Sequence, residues 1–184
     1  MIRNRFARLL PVALLFATAA AGTAQAATDG TLGATSTGTV TINASVAGRV
    51  QISKLSDVTF SAVDPVNPVS NSQNICVWSN TSGRKYNITA TGNGTGSAFT
   101  LASGLLPTAA YTVEFANTSG AAVTAPLTSG TALTGQSTLA TSPTCASGVA
   151  TSATLVVKMS SAVLQTMQAS ATYTGVLTLV VAPE

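Results

Sequence analysis

The chain has 184 residues, of which 46% are hydrophobic and only 7% charged, with no histidine, two cysteines and a formal net charge of +3. Without an imidazole there is no Ser-His-Asp or Cys-His catalysis and no histidine metal site. The few basic residues give no electrostatic footprint for nucleic acid or for an anionic lipid surface.

In chain order, Arg3, Arg5 and Arg8 precede an apolar run, Leu9–Ala21, and then Ala24-Gln25-Ala26. A basic n-region, an apolar h-region and an A-x-A site predict a secretory signal peptide over residues 1–26. The run is shorter than the roughly 20 residues a membrane-spanning helix needs, so no membrane span is expected after cleavage. Removing 26 of the 184 residues leaves 158, with five basic and five acidic side chains and zero formal charge. That length suits one domain with a sizeable core. Export through an oxidising compartment predicts a disulfide between Cys76 and Cys145. By the chain-closure formula its loop would be worth about 4 kcal/mol.

Residues 37–46, TGTVTINASV, place Val40, Ile42, Ala44 and Val46 on one side and Thr39, Thr41, Asn43 and Ser45 on the other. A period of two is the mark of a half-buried strand, yet no tight turn joins this one to a neighbour. Further short strands are expected over 48–55, 57–63, 75–80, 84–92, 98–104 and 110–117. Residues 64–74, marked by Pro65 and Pro68, read as a loop, and 132–140 as a hairpin of two small strands. A firm strand over 153–160 precedes a loop with a short turn over 161–170, and the chain ends in a strand-like run, 171–184. Seven to nine short strands predict an all-β antiparallel sandwich, with a closed barrel as the alternative.

The chemistry-bearing residues are few. Asp57 and Asp64 flank one short predicted strand and stand over about 20 Å apart along it, so they read as solvated loop acids rather than a glycosidase pair. GNGTG, residues 92–96, has neither the lysine nor the helix of a phosphate loop and reads as a turn. Trp78 shares a face with Cys76, so it reads as core packing beside a disulfide rather than as a sugar-stacking platform.

The two ends of the chain carry a resemblance. A Gly/Thr-rich segment runs into an alternating strand, GTLGATSTGTVTINASV, and the chain closes on ATYTGVLTLVVAPE. Tyr173, Gly175, Leu177, Leu179 and Val181 fit the terminal-strand pattern Gly/Ala-x-Tyr-x-Gly/Asp-x-Leu-x-Leu-x-Val. In this the chain resembles chaperone–usher fimbrial (pilin) subunits, nearest the archaic, spore coat protein U-like, and alpha groups. The resemblance implies an immunoglobulin-like sandwich lacking its final strand, filled first by a periplasmic chaperone and then by the N-terminal extension of the next subunit. Main-chain hydrogen bonds along an open edge, with alternate side chains in pockets, supply the affinity. Carried onto this sequence, residues 27–46 become the extension and 47–184 the incomplete sandwich. Val40, Ile42, Ala44 and Val46 become the donor residues, and Tyr173, Leu177, Leu179 and Val181 the groove wall.

The function so implied is a structural, non-enzymatic subunit of a surface pilus that polymerises by donor-strand exchange and supports adhesion or biofilm formation. Its partners would be identical or related subunits, the chaperone and an outer-membrane usher, with no cofactor. Its route would run through the periplasm to the cell surface. A tip adhesin needs no donor strand, so the alternating extension favours a shaft subunit. The alternative is a self-complete secreted sandwich, adhesive, carbohydrate-binding or coat-forming, in which residues 39–46 pair within their own chain.

Overall fold

A computed structural model describes residues 26–184, so the signal expected over 1–26 lies outside the described residues except for Ala26. The chain divides between Ser45 and Val46 into two units. The second unit holds ten strands and one turn of α-helix. These are β1 (Val50–Ser53), β2 (Val69–Ser79), β3 (Lys85–Gly92), β4 (Thr100–Leu101), β5 (Ala109–Ala110), β6 (Thr112–Ala116), β7 (Ala125–Pro126), β8 (Ala132–Ser137), β9 (Ala153–Met159), α1 (Ser161–Leu164) and β10 (Leu177–Pro183).

All the pairings are antiparallel. Five strands form a sheet in the order β1-β2-β9-β6-β7, three form a second in the order β10-β3-β8, and β4 pairs with β5. Alternation decides the inner faces: Ile75 and Val77 of β2, Val113 and Phe115 of β6, and Leu155, Val157 and Met159 of β9 from one sheet, Tyr86, Ile88 and Ala90 of β3 from the other. Tyr86 meets Phe115 edge to face across the layers, with ring centroids 6.4 Å apart. The result is an all-β sandwich.

Local chemistry shifts several expected boundaries. The loop expected over 64–74 is strand from Val69 onward, because Val69–Ile75 pairs residue by residue with Met159–Ala153 of β9. Pro68 sits just outside, where its missing N–H costs no ladder bond. Residues 57–63 form no strand. Lys54 takes a left-handed φ of 62° and Ala62 one of 48°, which turn the backbone off the ladder. Beyond Lys54 the carboxamide of Gln73 stands in for one strand pair, accepting from Ser56 N–H at 2.9 Å and donating to Ser56 C=O at 3.2 Å. Within residues 132–140 there is one strand, β8, rather than a hairpin, since Gly135 at φ 70° gives a bulge against β3 instead of a reversal. The turn expected within 161–170 is α1, capped by Ser160, whose Oγ accepts from Val163 N–H.

Cys76 and Cys145 are joined, with Cα atoms 6.0 Å apart. Trp78 does share their face, but that face is the outer one of the five-stranded sheet. With Ala140 and Val149 it forms a small cluster separate from the core between the sheets. The loop over it is anchored by polar bonds just before β9 begins. Ser152 Oγ donates to Val77 C=O at 2.8 Å and accepts from Val77 N–H at 2.9 Å, and Thr138 Oγ1 donates to the same carbonyl at 2.5 Å. Lys54 Nζ donates to Ala150 C=O at 2.6 Å and closes the loop against the end of β1.

The sandwich has two distinct ends. At the hairpin end, β1 begins opposite Ser79, β3 begins at Lys85 opposite Ser137, and β10 finishes beside Tyr86. At the helix end lie the start of β2, the end of β9, the start of β6 and α1. The eleven residues of β2 separate the two by about 33 Å at 3.3 Å per residue.

Candidate assembly surface

The first unit carries apolar side chains that bury nothing. Val40 is 75% exposed, Ile42 88% and Val46, the first residue of the second unit, 84%; Leu32 and Ala44 are exposed as well. The backbone before them is paired at one point, where Thr28 and Thr39 exchange N–H···O=C bonds of 3.0 and 2.9 Å. From Val40 to Arg49 no residue belongs to a strand. Burying one Val or Ile side chain is worth about 1.5–3 kcal/mol, so this stretch holds unspent hydrophobic free energy.

The second unit offers an open edge. β10 pairs with β3 over seven residues, Leu177 opposite Gly92 to Pro183 opposite Tyr86, and has no partner on its other side among the described residues. Leu177, Leu179 and Val181 face the core and stay half-buried, while Val176 and Val180 face outward. An unpaired strand edge with its apolar side incompletely covered is a template for another strand. Asn93 marks where the edge begins, donating its N–H to Val176 C=O at 3.1 Å and accepting from Val176 N–H at 2.9 Å.

Leu177, Leu179 and Val181 lie on β10 itself, and Tyr173, before the strand, packs half-buried on the same core. Tyr173 precedes β10, and its hydroxyl accepts from Gln168 N–H at 3.2 Å, fastening the turn after α1. Residues 57–63, expected as a strand, form an unpaired apolar segment. Val58, Phe60 and Val63 pack half-buried on the same core, and their backbone joins no ladder. The signal was present in the alternation of Val58 and Phe60, but it reads as an ordinary strand until the neighbours are known.

Polar chemistry is sparse. Lys158 and Glu114, adjacent on β9 and β6, form the only ion pair among the described residues, at 2.7 Å. The Lys158 hydrogen bond, and next the Thr124 hydroxyl, hold the Glu114 carboxyl below its usual range. Burial pushes the phenols of Tyr86 and Tyr111 up, and Tyr86 Oη is buried with no hydrogen-bond partner. Asp64 closes a turn, accepting from Val66 N–H and Asn67 Nδ2, each at 3.1 Å. No group of three His, Cys, Asp or Glu is placed to hold a metal ion, and no helix is long and apolar enough to cross a membrane, among the described residues.

No family model and no curated protein matches the chain. A solved chain from work on a chaperone–tip adhesin complex in CFA/I fimbriae biogenesis is similar at a TM-score of 0.46 and 14% identity, over 73% of this chain. The present chain spans 42% of that chain's length.

Proposed function

We propose that the chain is a structural, non-enzymatic subunit of a surface fibre, assembled by donor-strand exchange between copies of itself or related subunits. The reading rests on one juxtaposition. The chain has an exposed apolar alternation at Val40, Ile42, Ala44 and Val46, and an unpaired strand edge at β10 whose inward side chains are half-covered. A strand added along β10 would satisfy the free backbone groups of that edge and bury the alternating side chains of both partners. Residues 57–63, apolar and unpaired, are the natural second rim for the incoming strand. Before assembly the same edge would need temporary cover, which is the task of a periplasmic chaperone, with an outer-membrane usher receiving the subunit for display at the cell surface.

The test compares purified residues 27–184 with a truncation lacking 27–46. Heat-sensitive ladders on a denaturing gel and filaments in solution are expected from the longer chain and not from the truncation. A synthetic 37–46 peptide should bind the truncation and raise its melting temperature. A stable monomer that unfolds on truncation and forms no ladder would place the segment in its own sheet, and the reading would give way to a self-complete secreted sandwich.

A further inference from the structure

The nine charged residues of Val46–Glu184 are sorted by end. Arg49, Arg84 and Lys85 lie at the hairpin end, where Asn80 N–H donates to Arg49 C=O and Ser79 pairs with Val50. Glu184 is the acid there, and its carboxylate accepts from Gly135 N–H at 2.7 Å. Counting side chains, two positive charges remain in excess. Asp64, in the turn before β2, lies at the helix end with the Lys158–Glu114 pair, and Asp57 follows Ser56, which is bonded to Gln73 partway along β2; together they leave two negative side-chain charges in excess. Lys54 sits between, on the carbonyl of Ala150.

Shape follows the same division. At the hairpin end Leu139 is an exposed knob whose carbonyl accepts from Arg84 Nη1 at 3.4 Å. At the helix end Pro68, Val69, Tyr111, Met159 and Val163 line an open hollow of about 340 Å³, next in sequence to the Asp64 turn and the exposed Val66.

The chain enters the sandwich at the hairpin end. Asn80 fixes the entry, with Nδ2 donating to Ala47 C=O at 3.0 Å and Oδ1 accepting from Arg49 N–H at 2.5 Å. Only four residues separate Val46 from Val50, about 13 Å of extended chain. A copy that takes up Val40–Val46 is therefore held against this basic end.

We infer that the hairpin end of one copy docks on the helix end of the next, with Arg49, Arg84 and Lys85 facing Asp57 and Asp64, and Leu139 facing the hollow. The inference rests on the donor-strand reading above and adds the contact that orients the two copies. Opposed charges favour this arrangement, and a hairpin-to-hairpin contact would bring like charges together.

The experiment follows fibre growth of purified residues 27–184 at low and high salt. The variants are Arg49→Glu with Lys85→Glu, Asp57→Lys with Asp64→Asn, all four changes together, and separately Ile42→Asp. Unchanged melting temperatures serve as the folding control. Each charge pair alone is expected to slow growth about tenfold or more at low salt, the lower range of electrostatic steering. The four changes together should restore the rate, and high salt should erase the differences. Equal growth in every charge background, with Ile42→Asp blocked, would overturn this contact and leave the proposed function standing. Growth of Ile42→Asp at the parental rate would overturn the donor-strand reading, and the charge variants would then judge the contact alone. A parent that stays monomeric at every salt concentration would overturn both.

Discussion

Residues 39–46 and 110–116 carry the same alternation and end in opposite environments. Val113 and Phe115 of β6 are 1% and 0% exposed, whereas Val40 and Ile42 are left in water. The difference lies in what stands alongside. β6 has β9 on one side and β7 on the other, and Tyr86 of the facing sheet closes over Phe115. Residues 40–45 belong to no strand. Period two states which side chains share a face, and says nothing about whose core that face will meet.

The comparison is tested most severely by truncating the buried member. Phe115→Ala should lower unfolding free energy by about 3–5 kcal/mol in a denaturant titration, the range for a large aromatic removed from a packed core. Replacing Cys76 and Cys145 together by Ser should cost a comparable amount, about 4 kcal/mol, by restoring freedom to the unfolded chain. A melting temperature unchanged by that double replacement would mean the covering loop holds through Ser152, Thr138 and Lys54 alone.

Smaller effects sharpen the contrast. The depressed Glu114 pKa contributes stability that is present above the ordinary carboxylate pKa of about 4 and is lost as pH falls through the lower folded value. Stability of the parent should therefore decline further below pH 4 than that of Glu114→Gln, with a gap under about 1 kcal/mol for a partly exposed pair. Tyr86→Phe removes a buried hydroxyl that has no partner, so it should be neutral or stabilise by up to about 1 kcal/mol. Ile42→Ala should leave monomer stability within about 0.5 kcal/mol, as for exposed sites generally, while weakening capture of the 37–46 segment. A large loss of monomer stability from Ile42→Ala would erase the contrast with Phe115.

The sequence was most informative where a strand has one wet and one dry face. Tyr86, Ile88 and Ala90 of β3, Val113 and Phe115 of β6, and Leu177, Leu179 and Val181 of β10 were all readable from alternation. It was least informative on β2, where Ile75, Cys76 and Val77 are buried in succession because both faces are covered. There the polar start, Val69 to Asn74, looks like a loop, and the covering loop hides which side of Trp78 is outward. The end of β1 was equally hidden. A left-handed Lys54 and a Gln73 carboxamide standing in for a strand pair leave no pattern in composition. As for the candidate assembly surface, the alternation of residues 40–46 and the strand through Leu177, Leu179 and Val181 were legible, whereas the unpaired state of 57–63 depended on neighbours that only the folded chain supplies.

The Cys76–Cys145 bond has a mechanical consequence. The bridge closes 69 residues of sequence separation into a covalent loop. An extended chain spans about 3.3–3.6 Å per residue, so a domain stretched from its ends under tension would be denied roughly 230–250 Å of contour. Only the segments outside the bridge could unravel. A tensile load that overwhelmed the fold would lengthen the molecule by about half of what its full chain allows, and reduction of one bond would release the rest.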